Sequence, residues 1–114
     1  MQSTQITLHN IRRSPSLSAR IRELSERLES HHSDILSVRV TVSHDTERPA
    51  KDGTYSVMVR VRVPGRELVT SHEHGEDVYV AVRDAFNAMR RELEQAAEAA
   101  RAAARRKAIA EVPR

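Results

Sequence analysis

Arginine supplies most of the chemistry this sequence can do. Arg20 and Arg27 stand seven residues apart, with His31 one further turn along, and Arg83 and Arg90 repeat that spacing, roughly continued by Arg101. Residues seven apart on a helix project beside each other. Each set would thus form a row of guanidinium groups able to make bidentate, salt-sensitive contacts with phosphates. The plainer reading is that amphipathic helices carry arginine on their wet side. Arg12 and Arg13 fall on a loop, where the backbone can conform to a partner. Arg39, Arg60 and Arg62 share the polar side of two strands and read as a solvated antiparallel face, with a second basic patch as the alternative.

Other chemistries find less support. His72-Glu73-His74 places two imidazoles on alternate strand residues, the spacing of a metal pair. A third and fourth ligand would have to come from Glu76, Asp77 or the distant His31, His32 or His44. The pair reads instead as part of an exposed edge strand that gains positive charge in mild acid. There is no cysteine, so thiolate catalysis and disulfides are excluded. Three glycines form no phosphate loop, and no nucleophile-elbow pattern occurs. The residues therefore point to a binding protein without catalysis, cofactor, metal or small-molecule substrate.

The charge balance qualifies the arginine reading. The chain of 114 residues has a net charge of +3 and a pI near 9.9. From Arg101 onward the net charge is +4, whereas residues 1–100 carry 14 basic and 15 acidic groups. Any affinity of the body for nucleic acid must come from how its arginines are grouped. No apolar run approaches the roughly 18 residues of a membrane span, and Met1 to Gln5 have no signal-like character. A cytoplasmic protein is the expectation.

The elements that must position these residues follow from periodicity. Ile6 and Leu8 alternate with polar neighbours, a half-buried strand. Ser14-Pro15 is a helix-start signal. Leu17, Ile21, Leu24 and Leu28 then recur on one helical face, predicting a helix from about Ser16 to His31. Val38, Val40 and Val42 form a second strand, and Val57, Val59, Val61 and Val63 a third. His44 to Gly53 reads as their hairpin connection, Pro64-Gly65 as a tight turn, and Leu68 to His72 as a short edge strand. Asp77 caps a last helix with Glu76 beside it. Val78, Val82, Ala85, Phe86, Met89 and Leu93 are its apolar stripe, and Tyr79 packs at the margin. Running to Lys107, it would be roughly 46 Å long at 1.5 Å per residue and overshoot the sheet. The order β-α-β-β-β-α, with one apolar side per element, predicts an α+β two-layer sandwich: a four-stranded sheet with both helices on one face.

These residues resemble a known family, the ribosome hibernation promoting factors and ribosome-associated inhibitor A, also called sigma-54 modulation proteins. The likeness runs through Ile6-Thr7, Ser14-Pro15-Ser16-Leu17, the valine strands, Pro64-Gly65 and above all Gly75-Glu76-Asp77-Val78-Tyr79-Val80-Ala81-Val82, which is similar to the family's "E-D-M-Y-x-A-I" opening of the second helix. Arg91-Glu92-Leu93 is similar to its "R-Q-L". The resemblance covers about residues 5 to 95 and fits the short form, without the further domain of longer members.

It implies a fold like a double-stranded-RNA-binding domain, bound in the small-subunit cleft that messenger and transfer RNA use, blocking translation under stress or in stationary phase. The expected RNA contacts are Arg12, Arg13, Arg20, Arg27, Arg83, Arg90, Arg91 and Arg101. Residues 1–95 would be the ribosome-binding domain and 96–114 an Ala/Arg-rich helical extension or tail, solvated or RNA-associated, with weak self-association through its alanine surface as the alternative. The sequence departs from the family at Ser18, Ala88 and Gln95, where basic residues are usual, and Glu92 and Glu94 add negative charge. The runner-up function is a protein–protein interaction or regulatory module of the same fold.

Overall fold

Seven valines on alternate positions build the floor of the molecule. The computed structural model describes residues 4–45, 54–74 and 77–110, arranged as β1 (Thr4–His9), α1 (Pro15–His31), β2 (Ser37–Asp45), β3 (Thr54–Val63), β4 (Arg66–His74) and α2 (Val78–Ala110). The strands form one sheet in the order β1-β2-β3-β4. β1 runs parallel to β2, and the other neighbours are antiparallel. Because side chains alternate across a strand, Val38, Val40 and Val42 register against Val61, Val59 and Val57, and all six are buried with Val63 and Leu68 on one side. The α+β order and the pair of helices over a four-stranded sheet match the expectation.

The turns follow from local chemistry. Pro64 and Gly65 link β3 to β4, and Gly65 has φ +82°, the left-handed value that the third position of a type II turn demands and that proline at the second position favours. Asn10, at φ 58°, turns the chain out of β1 in a conformation that asparagine tolerates. β2 continues through His44 and Asp45, which pair with Tyr55 and Thr54, so it takes the first two residues of the expected His44–Gly53 connection. Residues 46–53, Gly75, Glu76 and the last four residues lie outside the described residues.

Each helix starts where its cap predicts. Ser14 is extended, and its hydroxyl accepts from the Leu17 amide at 3.2 Å, with Pro15 in the first turn, where its missing N–H is harmless. Ser14→Ala should cost about 1 kcal/mol, read as an earlier chemical-denaturation midpoint with an unchanged slope. Asp77 Oδ1 accepts from the amides of Tyr79 (2.8 Å) and Val80 (3.4 Å).

The buried face of α1 is centred one residue away from the leucine stripe. Leu17, Ile21, Ser25 and Leu28 are buried, whereas Leu24 is only half-buried. Ser25 can sit there because its hydroxyl bonds Thr4 Oγ1 (2.8 Å) and donates to Glu29 Oε1 (3.2 Å), and among the described residues no buried side-chain nitrogen or oxygen is left unpaired. On α2 the buried residues are Ala81, Val82, Ala85, Phe86, Met89 and Leu93. Thr70 Oγ1 donates to the Ala85 carbonyl (3.2 Å), fastening β4 to this helix. β4 is an edge strand as expected, but runs from Arg66 to His74 because it pairs with β3 along its whole length.

Candidate nucleic-acid interface

Topology makes the two helices parallel. Strands β1, β2 and β4 run in one direction, α1 returns from β1, and α2 returns from β4. Their first turns meet where Ser16 Oγ and Tyr79 Oη hydrogen-bond at 2.9 Å. Arg27 lies eleven residues after Ser16, and Arg90 eleven after Tyr79, about three turns down each helix. The two arginines accordingly reach the same place. They line one cavity of ≈ 280 Å³ between the helices, floored by Leu24, Leu28 and Phe86 and completed by His31, His32, Asn87 and Glu94. Leu24, half-buried against the edge of the core, thus belongs to the floor of this groove.

Helical spacing extends these walls. Arg20 precedes Leu24, Arg27 and His31 on α1, and Arg83 precedes Asn87, Arg90 and Glu94 on α2, each set at intervals of three or four that keep it on one side. Four of the eight expected contacts are therefore brought into two facing rows. Arg101 continues the α2 row, but α1 has ended at His31, so no opposing helix faces it. Arg91 is rotated by about 100° from Arg90 and is exposed. Arg12 and Arg13, also exposed, lie on the β1–α1 connection at the opposite end, beside the helix starts.

Acidic neighbours temper the rows. Glu23 Oε1 receives Arg20 Nη1 at 2.7 Å and Arg27 Nη2 at 2.8 Å. Arg83 pairs with Asp84 at 3.2 Å. On the extension, Glu98 accepts from Arg101 (2.9 Å) and Arg105 (3.3 Å), and the hydrogen bonds from Arg101 and then Arg105 hold its carboxyl below the usual range. Among the described residues Arg12, Arg13, Arg90 and Arg91 have no ion-pair partner. Exposed ion pairs contribute about 0–1 kcal/mol. A phosphate can displace them at little cost, and Glu23 offsets one charge of two.

The remaining candidates are placed simply. Tyr79 is 42% exposed, its ring marginal to the core and its hydroxyl spent on Ser16. Among the described residues no three His, Asp or Glu side chains converge on a metal position. His72 lies on β4, and the side chain of His74 is outside the described residues. No described helix is long and apolar enough to cross a membrane.

Fold and groove together define a class, a small βαβββα module with an open, arginine-lined trough between two parallel helices. The chain belongs to the sigma 54 modulation protein / S30EA ribosomal protein family, whose model matches residues 4–101, as the residue-level resemblance implied. Solved structures agree. A ribosomal subunit interface protein from Coxiella burnetii is 16% identical with a TM-score of 0.73, covering 85% of this chain and 99% of that one. The N-terminal domain of Thermus thermophilus Protein Y is 16% identical with a TM-score of 0.69, covering 83% and 98%. At such identities the likeness is one of fold. No curated protein sequence matches the chain.

Proposed function

We propose that this protein is a ribosome hibernation factor. It occupies RNA of the small subunit in the cleft used by messenger and transfer RNA, holds translation off under stress in the cytoplasm, and catalyses no reaction. The observation that carries the reading is the pairing of Arg27 and Arg90 across one groove, in a family whose description includes a ribosomal protein. The parallel rows fit a polyanion because guanidinium groups on both walls can each take phosphate oxygens. Residues 1–95 would make the contact, and the basic extension from 96 onward would add to it.

The test is co-sedimentation with purified small subunits across a salt series. Binding should be clear at low salt and fall steeply as salt rises, and protein remaining at the top of the gradient at low salt would refute the proposal. Glu23→Gln sharpens the test. It frees Arg20 and Arg27 without touching the core, so affinity should rise roughly two- to fivefold, the equivalent of about 0.5–1 kcal/mol, the upper part of the range for exposed charge pairs. The second reading, a protein–protein module, draws on the ion-paired arginines and near-neutral body, and predicts association that survives ribonuclease.

A further inference from the structure

The three strand arginines are not scattered over the open face of the sheet. Arg39 registers directly against Arg60, and Arg62, two residues on, registers against Ser37 and Glu67. All three are exposed and fall in two adjoining rows at one end of the face. Strands lie about 4.8 Å apart and alternate residues about 6.8 Å apart, so the three side chains rise from a patch smaller than one nucleotide. Toward the middle of the same face Thr41 and Ser43 on β2, Ser56 on β3 and Ser71 on β4 line a furrow with Met58, flanked by the exposed Val69, which registers against Arg60, and by Glu73, which registers against Ser56.

Like charges directly opposite on neighbouring strands oppose folding. The threonines and serines elsewhere on this face show that a neutral residue suits such a position. One carboxylate relieves the repulsion incompletely. Glu67 approaches Arg60 Nη1 at 3.5 Å, while Arg39 and Arg62 have no ion-pair partner among the described residues. Arg60 Nε also donates to Met58 Sδ at 3.4 Å, which ties the side chain to the sheet, and its guanidinium is a planar cation of the kind on which bases stack. The single Phe is buried and Tyr55 packs against the core on the other side of the sheet, so the open face offers bases its guanidinium planes and the exposed imidazole of His9, which registers against Ser43.

We infer that the open sheet face is a second RNA-binding surface, taking the sugar–phosphate backbone of a single strand on Arg39, Arg60 and Arg62 and running it along the hydroxyl furrow. Charge complementarity selects a polyanion, and the stacking plane favours RNA over an acidic peptide, which has no bases to lay on it. This surface lies across the full thickness of the sheet from the inter-helix groove, so the protein would hold two RNA segments on opposite sides. The inference stands apart from the hibernation reading and is tested apart from it.

The experiment uses the full chain carrying Arg27→Glu and Arg90→Glu, which reverses the charge at the centre of the helical groove, and a fluorescent twelve-nucleotide oligouridine as probe. Anisotropy titrations should show binding that Arg39→Gln with Arg62→Gln weakens at least tenfold. Two lost contacts should also reduce the logarithmic salt slope by about 1.4. Melting temperature is the second readout: it should hold or rise, because the substitutions remove cross-strand repulsion. A 4-thiouridine probe should cross-link to β2 or β3. Unchanged affinity, cross-links confined to α1 and α2, or displacement of the probe by oligoglutamate as effective as by unlabelled oligouridine would each overturn the inference.

Discussion

Replacing Arg27 and Arg90 together by glutamate should release the protein from small ribosomal subunits while leaving its fold intact. Both side chains line the groove and both residues are exposed, so neither substitution removes core packing. Hydrogen bonds to charged groups contribute about 1.5–3 kcal/mol each, so two lost guanidinium–phosphate contacts correspond to roughly a hundredfold to ten-thousandfold in affinity. Reversal adds repulsion to that loss. Arg27 alone should be the weaker of the single substitutions, because Glu23 already occupies it at 2.8 Å, whereas Arg90 has no carboxylate partner among the described residues. Circular dichroism and thermal melting should match the parent, and co-sedimentation at low salt should be lost. Retained binding by the double variant would reject the groove as the contact.

Phe86→Ala should have the largest effect on stability and should damage the groove by a different route. Phe86 is the chain's one phenylalanine, 4% exposed, and it forms the floor between the rows. Truncating a buried phenylalanine costs about 3–5 kcal/mol, part of it from the cavity left behind. For a domain of this size that lowers the melting temperature on the order of 15 °C. Given a total stability of about 5–15 kcal/mol, a sizeable fraction of molecules could unfold at 37 °C. Ile109→Ala, 74% exposed on the extension, is the control and should shift stability by less than about 0.5 kcal/mol. A Phe86→Ala protein that melts like the parent would show that the helices do not depend on this ring.

Much of this was legible before any coordinates, for a physical reason. Valine at every second position and leucine at every third or fourth each admit one element with one buried side, and Ser14-Pro15 and Asp77 mark where helices begin. The order of strands and the parallel pairing of β1 with β2 were not legible, since they depend on contacts between distant segments. Ser25 shows a subtler limit. Its burial is permitted by a partner twenty-one residues away, Thr4, so a count of apolar positions moved the stripe onto Leu24. Glu23 shows another: the spacing allowed ion pairs with Arg20 and Arg27, but Glu26 and Glu29 offered competing carboxylates, and only side-chain rotamers decide among them. That Arg27 faces Arg90, rather than any other pair, required both helices to run the same way from a shared starting contact.

The 33-residue α2 outlasts the sheet that supports it, giving a molecule 67 Å long and 18 Å thin. Leu93 is its last buried residue, and nearly everything after Ala97 is exposed. Mutations along that overhang meet almost no packing penalty, so its charge can drift in either direction while the folded body stays as it was. On the proposed function, in which this extension adds to RNA binding, selection can adjust the strength of the grip by editing the overhang alone, a dial mechanically disconnected from the scaffold.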